Sequence, residues 1–262
     1  MLLHLAENIK EIWAYREMLK SLVKKDLRTR YKGSFLGFLW TFVSPMLQVA
    51  VYAIIFPYLL RNTVEHYTMF LFVAQVPWNF FTNSILGSCG LFIYNSDLVT
   101  KVYFPREVLP LSNALGGLCN MCFGFMVVFV LLLVSGISLT WNVLWIPVLF
   151  VLQTIFCAGI ALLFSSINVY FRDIEHLMSI IVMAMYFATP IMYDLKALPL
   201  KAQKLLYLNP MTGFILNYRN AVFYGTGVDF STLFYPMVLS FVLFITGMIV
   251  FDHLQKGFTE VL

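Results

Sequence analysis

The chain has 262 residues, 61% of them hydrophobic and only 11% charged, where an average soluble domain carries about 25% charged residues. Seventeen Lys and Arg against thirteen Asp and Glu leave a formal charge of +4. No soluble basic domain carries that charge, so nucleic acid is not an expected partner. The composition excludes a soluble single-core protein and predicts an all-α integral membrane protein.

Asp, Glu, Lys and Arg are absent from 33–60, 66–96, 108–171, 176–193 and 230–251. A spanning helix needs about 20 largely apolar residues, and the small and polar stretch SGISLTWN (135–142) divides the longest run in two. Six spans are predicted, at roughly 36–59, 68–93, 110–134, 143–168, 174–194 and 232–252. The chain thus divides into an N-terminal segment, 1–33, and a six-span domain, 34–262.

In the N-terminal segment Leu5, Ile9, Ile12, Trp13 and Leu19 recur at helical spacing, with Lys10, Glu11, Glu17 and Lys20 elsewhere. Such a helix lies in the membrane interface with Trp13 at head-group depth, or packs on a partner. No compact apolar leader with a small-residue cleavage site is evident. The following stretch, KDLRTRYKGSFLGFLWTFVSP, sets Lys25, Arg28, Arg30 and Lys32 directly before an aromatic run. In the first span Phe35, Phe38, Phe42, Tyr52 and Phe56, with Pro45 and Val49 completing the register, are predicted to form one continuous helical face. Tyr186, Pro190 and Tyr193 repeat the pattern in the fifth. Electron-rich ring faces suit the C–H faces of sugars, and plain bundle packing accounts for the same residues.

The connection NSDLVTKVYFPREVLP (95–110) is too long for a tight turn, and Pro105 and Pro110 bracket its charged end. It is a passive linker or the point where a soluble partner pushes on a membrane helix. In YFRDIEH (170–176), Asp173 is expected to cap the next helix. Cys89, Cys119, Cys122 and Cys157 all fall in spans without a histidine cluster, so they are expected to pack as small apolar groups, with no metal site. The loop between the last two spans predicts two short amphipathic helices hinged at Asn209-Pro210 and stopped by Gly225 and Gly227, dipping back into the membrane. Non-helical backbone at that depth must line or close something.

Orientation follows from charge. With the N-terminus cytoplasmic, twelve Lys and Arg face inside against five outside, and both termini lie inside. Every acidic residue sits at a span end or in a loop. An ionised group at mid-membrane costs an apparent ~2.5–3.5 kcal/mol, and groups that carry coupling ions are expected there in an ion-driven carrier. A phosphate-binding Gly-x-x-x-x-Gly-Lys-Ser/Thr loop is also missing, as is any plausible Ser-His-Asp set. If work is done, its energy is expected from another chain.

Three stretches carry a resemblance. RTRYKGSFLGFLWTFVSP, YFRDIEHLMSIIVMAMYFATPIMY and LNPMTGFILNYRNAVFYG stand in the order and spacing seen in membrane subunits of ABC-type polysaccharide exporters, a family that exports O-antigen, teichoic acid and related glycans on a lipid diphosphate. The resemblance implies a homodimer with a channel at its interface, and two nucleotide-binding ATPase subunits that hold ATP and Mg; no cofactor is expected in this chain. It implies the bacterial inner membrane, and an undecaprenyl-diphosphate-linked glycan as substrate. Arg28, Arg30 and Lys32 would meet the diphosphate, since arginine pairs bidentately with phosphate oxygens; topology and lipid attraction explain the same cations at about 1 kcal/mol each. Phe35, Phe38, Phe42, Tyr52, Phe56, Tyr186 and Tyr193 would line the channel. The loop 95–109, with Asp97, Lys101, Tyr103, Arg106 and Glu107, would couple to the ATPase. The segment 196–228, with Asn209, Pro210 and Arg219, would be the outer gate. O-antigen is the favoured cargo and wall teichoic acid the alternative. An ion-driven flippase acting alone and a non-transporting scaffold are the readings from other classes.

Overall fold

The computed structural model describes residues 11–29, 33–60 and 65–261, and no strand occurs among them. The helices are α1 (Arg16–Thr29), α2 (Trp40–Leu60), α3 (Tyr67–Cys89), α4 (Leu91–Tyr94), α5 (Ser96–Lys101), α6 (Val108–Val134), α7 (Ile146–Tyr170), α8 (Ile174–Phe187), α9 (Leu200–Leu206), α10 (Pro210–Val222), α11 (Phe230–Leu254) and α12 (Phe258–Val261). Single 3-10 turns precede α2, α7 and α9 and follow α11.

Three stretches, Val108–Val134, Trp141–Tyr170 and Phe230–Gly257, are long and apolar enough to cross a membrane. They match the third, fourth and sixth expected spans. Helices α2 and α3 have 21 and 23 residues, which at about 1.5 Å per residue is sufficient length. Helix α3 is the more polar, with Gln75, Asn79, Thr82, Asn83 and Ser84 along it. The fifth expected span, 174–194, is a shorter apolar helix ending at Phe187. Pro190 offers no N–H and disfavours helical backbone in the residue before it, so the chain turns there.

Two further boundaries differ from expectation. The second span stops at Cys89 rather than 93, because the chain turns at Gly90, where a Cβ would stand 2.2 Å from the Tyr94 ring. Asp173 does not cap α8: its φ of −66° and ψ of −15° are already helical, and its side chain makes no capping bond. Asn168 Oδ1 accepts from the Glu175 N–H instead, at 3.1 Å.

Two buried clusters hold the bundle. The larger runs through α3, α6, α7 and α10, with Phe70, Phe72, Phe125, Phe156, Phe214 and Tyr218 all nearly inaccessible. The smaller gathers Phe92, Val99, Phe104, Val108, Val169, Phe251 and Phe258 at the end where α3, α7 and α11 finish. Helix α1 lies along α6, with Ile12, Tyr15, Met18, Leu19 and Leu22 packed on this smaller cluster. Trp13 points away and is 70% exposed, so Ile12 and Leu19 dock inward and Trp13 does not share their face. Leu5 and Ile9 lie outside the described residues.

The tightest packing is between α7 and α11. A Cβ on Gly159 would stand 2.5 Å from the Phe244 nitrogen, and one on Gly247 would stand 2.5 Å from the Gly159 carbonyl oxygen. Small residues at such crossings let two backbones touch, which is how helices gain packing in lipid. Gly159→Val is expected to destabilise the bundle by about 1–3 kcal/mol, the usual cost of overpacking. An unchanged melting temperature of the purified variant would refute that close approach.

Candidate functional site

The site-bearing segments fall at the two ends of the bundle and along α2. At the end where the smaller cluster lies, α5 is amphipathic over one and a half turns. Val99 and Phe104 are buried, while Tyr103 stands 85% exposed beside Val102. Asp97 and Lys101 pair across one turn at 2.6 Å, both exposed. Such an exposed pair contributes little stability, so these groups are available at the surface. The next two residues turn inward. Arg106 donates from Nη1 to the Gln255 carbonyl and lies 5.7 Å over the Phe258 ring. Glu107, only 5% exposed, accepts from Gln255 Nε2 at 2.9 Å.

The five residues expected to couple to a partner therefore separate into two groups. Asp97, Lys101 and Tyr103 face out, whereas Arg106 and Glu107 clamp the C-terminal turn. Between them opens a cavity of about 760 Å³, walled also by Glu11, Asp252 and Lys256. Sequence reading passed over Gln255, Asp252 and Glu11 because they are remote in the chain; the polar run closing the last span was the one signal pointing to them. Burial raises the Glu107 carboxyl above its ordinary value, and the nearby Asp252 and Glu11 carboxylates add to this against the hydrogen bond from Gln255.

At the opposite end, α9 and α10 meet at Asn209. Its side chain caps α10 by accepting from the Met211 N–H at 3.0 Å, with Pro210 in the first turn. Its amide nitrogen donates to Thr189 Oγ1 at 2.7 Å and to the Ala188 carbonyl at 3.2 Å, tying the hinge to the end of α8. Arg219 is 1% exposed. Its Nε donates to the Phe70 carbonyl at 3.2 Å, and Nη1 and Nη2 donate to the carbonyls of Pro190 and Ile191. The guanidinium carbon sits 3.4 Å from the centre of the Phe70 ring. Tyr67, one helix turn away, donates to the Met192 carbonyl at 2.6 Å. Arg219 is thus a fixed tie between α3, α10 and the turn after α8. The sequence placed it in an exterior loop, and the tertiary structure buries it.

The expected aromatic face on α2 is not one continuous helical stripe. Residues 37–39 form a 3-10 turn and the α-helix begins only at Trp40, so Phe35 leaves the register and stands fully exposed. Phe42 packs edge-on against Phe123 at 5.9 Å. Tyr52 joins Tyr186, 6.4 Å away, and is hydrogen-bonded by Gln48 at 3.4 Å. Tyr186 in turn donates to Gln75 Oε1 at 2.9 Å, and Gln75 donates to Asn79 at 2.8 Å. Tyr193 donates to the Phe187 carbonyl at 3.0 Å. The aromatic residues of α2 and α8 therefore meet through an amide network that a count of charges passes over. Arg28 is exposed on the last turn of α1. Arg30, Lys32 and the side chains of Phe38 and Phe56 lie outside the described residues.

Among the described residues no cluster of His, Cys, Asp and Glu is arranged to hold a metal ion. Cys89 and Cys157 are buried free thiols, and Cys119 and Cys122 are half-buried.

Compared with known proteins, residues 17–223 match the ABC-2 type transporter family. The chain is 35% identical over 255 residues to an O-antigen export system permease protein of Myxococcus xanthus, covering 96% of this chain and 98% of that one. It is 36% identical over 251 residues to a Klebsiella pneumoniae protein of the same description, covering 94% and 95%. A capsule polysaccharide export inner-membrane protein of Neisseria meningitidis is 20% identical over 264 residues, 97% of each chain.

The buried ionisable groups make themselves felt in stability. Arg219→Lys keeps a charge but replaces the planar fork by one ammonium, leaving buried carbonyls without donors at about 1–3 kcal/mol each; a large drop in melting temperature is expected, and a wild-type value would overturn the tie. For Glu107 the folded state raises the pKa, so its contribution is complete below the ordinary carboxylate range and is lost as pH rises through the folded value. Glu107→Gln should therefore stabilise the protein more at mildly alkaline than at acidic pH, and an equal gain at both would remove Glu107 as the cause.

Proposed function

This chain belongs to the ABC-2 type transporter family, and from that premise we propose that it is the channel-forming membrane subunit of an ATP-driven exporter of lipid-diphosphate-linked polysaccharide, O-antigen in the first instance. The observation that carries this is end-to-end similarity at 35–36% identity to O-antigen export permeases, against 20% to the capsule export protein. ATP hydrolysis belongs to a separate subunit.

The rest of the reading builds on the geometry. In the proposed arrangement six spans cross the bacterial inner membrane: α2, α3, α6, α7 and α11, with α8 and the turn after it as the fifth. Both termini are cytoplasmic. Two copies enclose the channel, and one ATPase subunit sits beneath each. Arg28, Arg30 and Lys32 receive the diphosphate at the cytoplasmic face, Tyr52 and Tyr186 meet the sugars, and α9 with α10 forms a re-entrant outer gate.

Coupling runs through α5. A partner seated against Asp97, Lys101 and Tyr103 would press on a segment whose buried side, Val99 of α5 and Phe104 just after it, shares one apolar cluster with Val108 of α6, Val169 of α7 and Phe251 of α11. Close-packed interiors transmit strain rather than absorb it. The clamp from Arg106 and Glu107 to Gln255 makes the end of α11 part of the same lever.

The purified complex should contain a stoichiometric ATP-hydrolysing partner whose turnover rises with lipid-diphosphate-linked glycan; a lone chain without such a partner would sink the exporter reading. Tyr103→Ala should lower that stimulation at least several-fold with the melting temperature of this subunit unchanged, because the side chain is 85% exposed. Undiminished stimulation would return the loop to a passive linker.

A further inference from the structure

Between α2, α3 and α6 lies an intramembrane cavity of about 180 Å³ that no expected role uses. Its polar wall is Thr41, Ser44 and Gln48 from α2, Asn79 and Asn83 from α3, and Asn120 from α6. No Asp, Glu, Lys, Arg or His lines it. That excludes an ion or a phosphate as its natural occupant, since such groups require compensating charge in low dielectric. Gly117 and Gly124 of α6 line it as well, and a Cβ on either would stand 2.7 Å from Phe80 or Val76 of α3, so the two helices meet closely beside the cavity.

Two of the wall residues hold a buried polar atom without a partner. Thr41 is 6% exposed, and its Oγ1 makes no hydrogen bond; the buried Oδ1 of Asn120 makes none either. A buried polar atom left unsatisfied costs about 1–3 kcal/mol, and hydrocarbon offers no water to relieve it. The wall presents hydrogen-bonding side chains of one kind, hydroxyls and amides, groups that both donate and accept. The ligand groups that match such a wall are themselves donor and acceptor at once, which describes the hydroxyls of a polyol. Trp40 lines the same cavity and adds an aromatic surface of the kind that covers C–H groups. At about 180 Å³ the space is well below the about 300–1,000 Å³ of sites for drug-sized ligands, so it suits one ring and not an oligosaccharide.

Its position is informative. Thr41, Ser44 and Gln48 succeed one another at helical spacing, and Gln48 donates to Tyr52, which leads to Tyr186, Gln75 and back to Asn79. The cavity is thus joined to the aromatic and amide network at the α2–α8 contact, at the end of α2 nearest in sequence to the cationic stretch.

We propose that this cavity is a binding site for one neutral polyhydroxylated group, a single sugar ring carried on the lipid diphosphate, held by the amides and hydroxyls of α2, α3 and α6. It rests on the export reading. The glycerol head of phosphatidylglycerol carries the same chemistry and is the second possible source of the hydroxyls.

The test uses the complete transporter with its ATPase subunits in nanodiscs of phosphatidylethanolamine, with and without phosphatidylglycerol. The probes are undecaprenyl diphosphate bearing one hexose and undecaprenyl diphosphate without sugar. Thr41→Val combined with Asn120→Leu should weaken the sugar-bearing probe about ten-fold, or ~1.4 kcal/mol, and leave the bare probe unaffected. Melting temperature should hold or rise, since unsatisfied polar atoms have been removed. Competition of phosphatidylglycerol with the sugar-bearing probe in the wild type, lost in the double variant, would also support the site and identify the lipid head as a second occupant. Equal affinities of wild type and variant for the sugar-bearing probe, or an equal loss for both probes, would overturn it while leaving the export reading standing. A wild type that binds neither probe would sink the export reading itself.

Discussion

The end of the bundle where α9 and α10 lie depends on one buried arginine. Arg219 reaches from α10 to the Phe70 carbonyl on α3 and to the Pro190 and Ile191 carbonyls after α8, with its guanidinium flat against the Phe70 ring. The Pro190 and Ile191 carbonyls belong to the turn where a helix has just ended and cannot satisfy its own backbone. Without that fork the turn would bury unpaired oxygens in an apolar setting, where the alternative of hydration is absent. An arginine suits this because its donors are fixed in a plane and its charge is more weakly hydrated than an ammonium. The tie also gives α9 and α10 their setting: the hinge at Asn209 is pinned to Thr189, and α10 beyond it is held to the bundle.

The opposite end is organised differently, by a cluster of rings. Phe92, Phe251 and Phe258 meet with centroids 4.8–5.8 Å apart, and Tyr170 closes the group by donating to the Leu254 carbonyl at 2.8 Å. Around this cluster sit α1, α5, the start of α6 and the end of α11. A force applied at the exposed side of α5 thus reaches three long helices through apolar contact alone. One end of the molecule is held by a hydrogen-bonded fork that permits few alternatives, and the other by packed rings with the Arg106 and Glu107 bonds to Gln255 beside them.

Between the two ends the polar groups are amides and hydroxyls rather than ions. Gln75 is buried and Gln48 and Asn79 are half-buried, and hydrogen bonds link them to Tyr52 and Tyr186, while Asn83 and Asn120 line the cavity nearby. A neutral donor–acceptor lining is compatible with a cargo that is uncharged along its sugars and charged only at its lipid diphosphate.

Runs of residue type were enough to establish the solvent, the helical class and the positions of most helices. A charge-free stretch of sufficient length spans or is buried, and Asn209-Pro210 starts a helix wherever it lies. The family was legible too, through motifs that are local in the chain. The end of the fifth helix was not, since Ile174–Phe187 looks continuous with the residues up to Pro190, where the backbone pattern breaks. Nor did the linear order reveal that Phe35 leaves the aromatic register, that Arg106 and Glu107 turn inward to Gln255, or that Arg219 is buried. The amides escaped notice because a count of ionised groups is blind to neutral ones. The contacts of Arg106, Glu107 and Arg219 join residues far apart in sequence, and no period or local motif encodes a partner on another helix. Tertiary structure alone decided them, since a guanidinium or an amide takes its role from the groups that packing brings within hydrogen-bond reach.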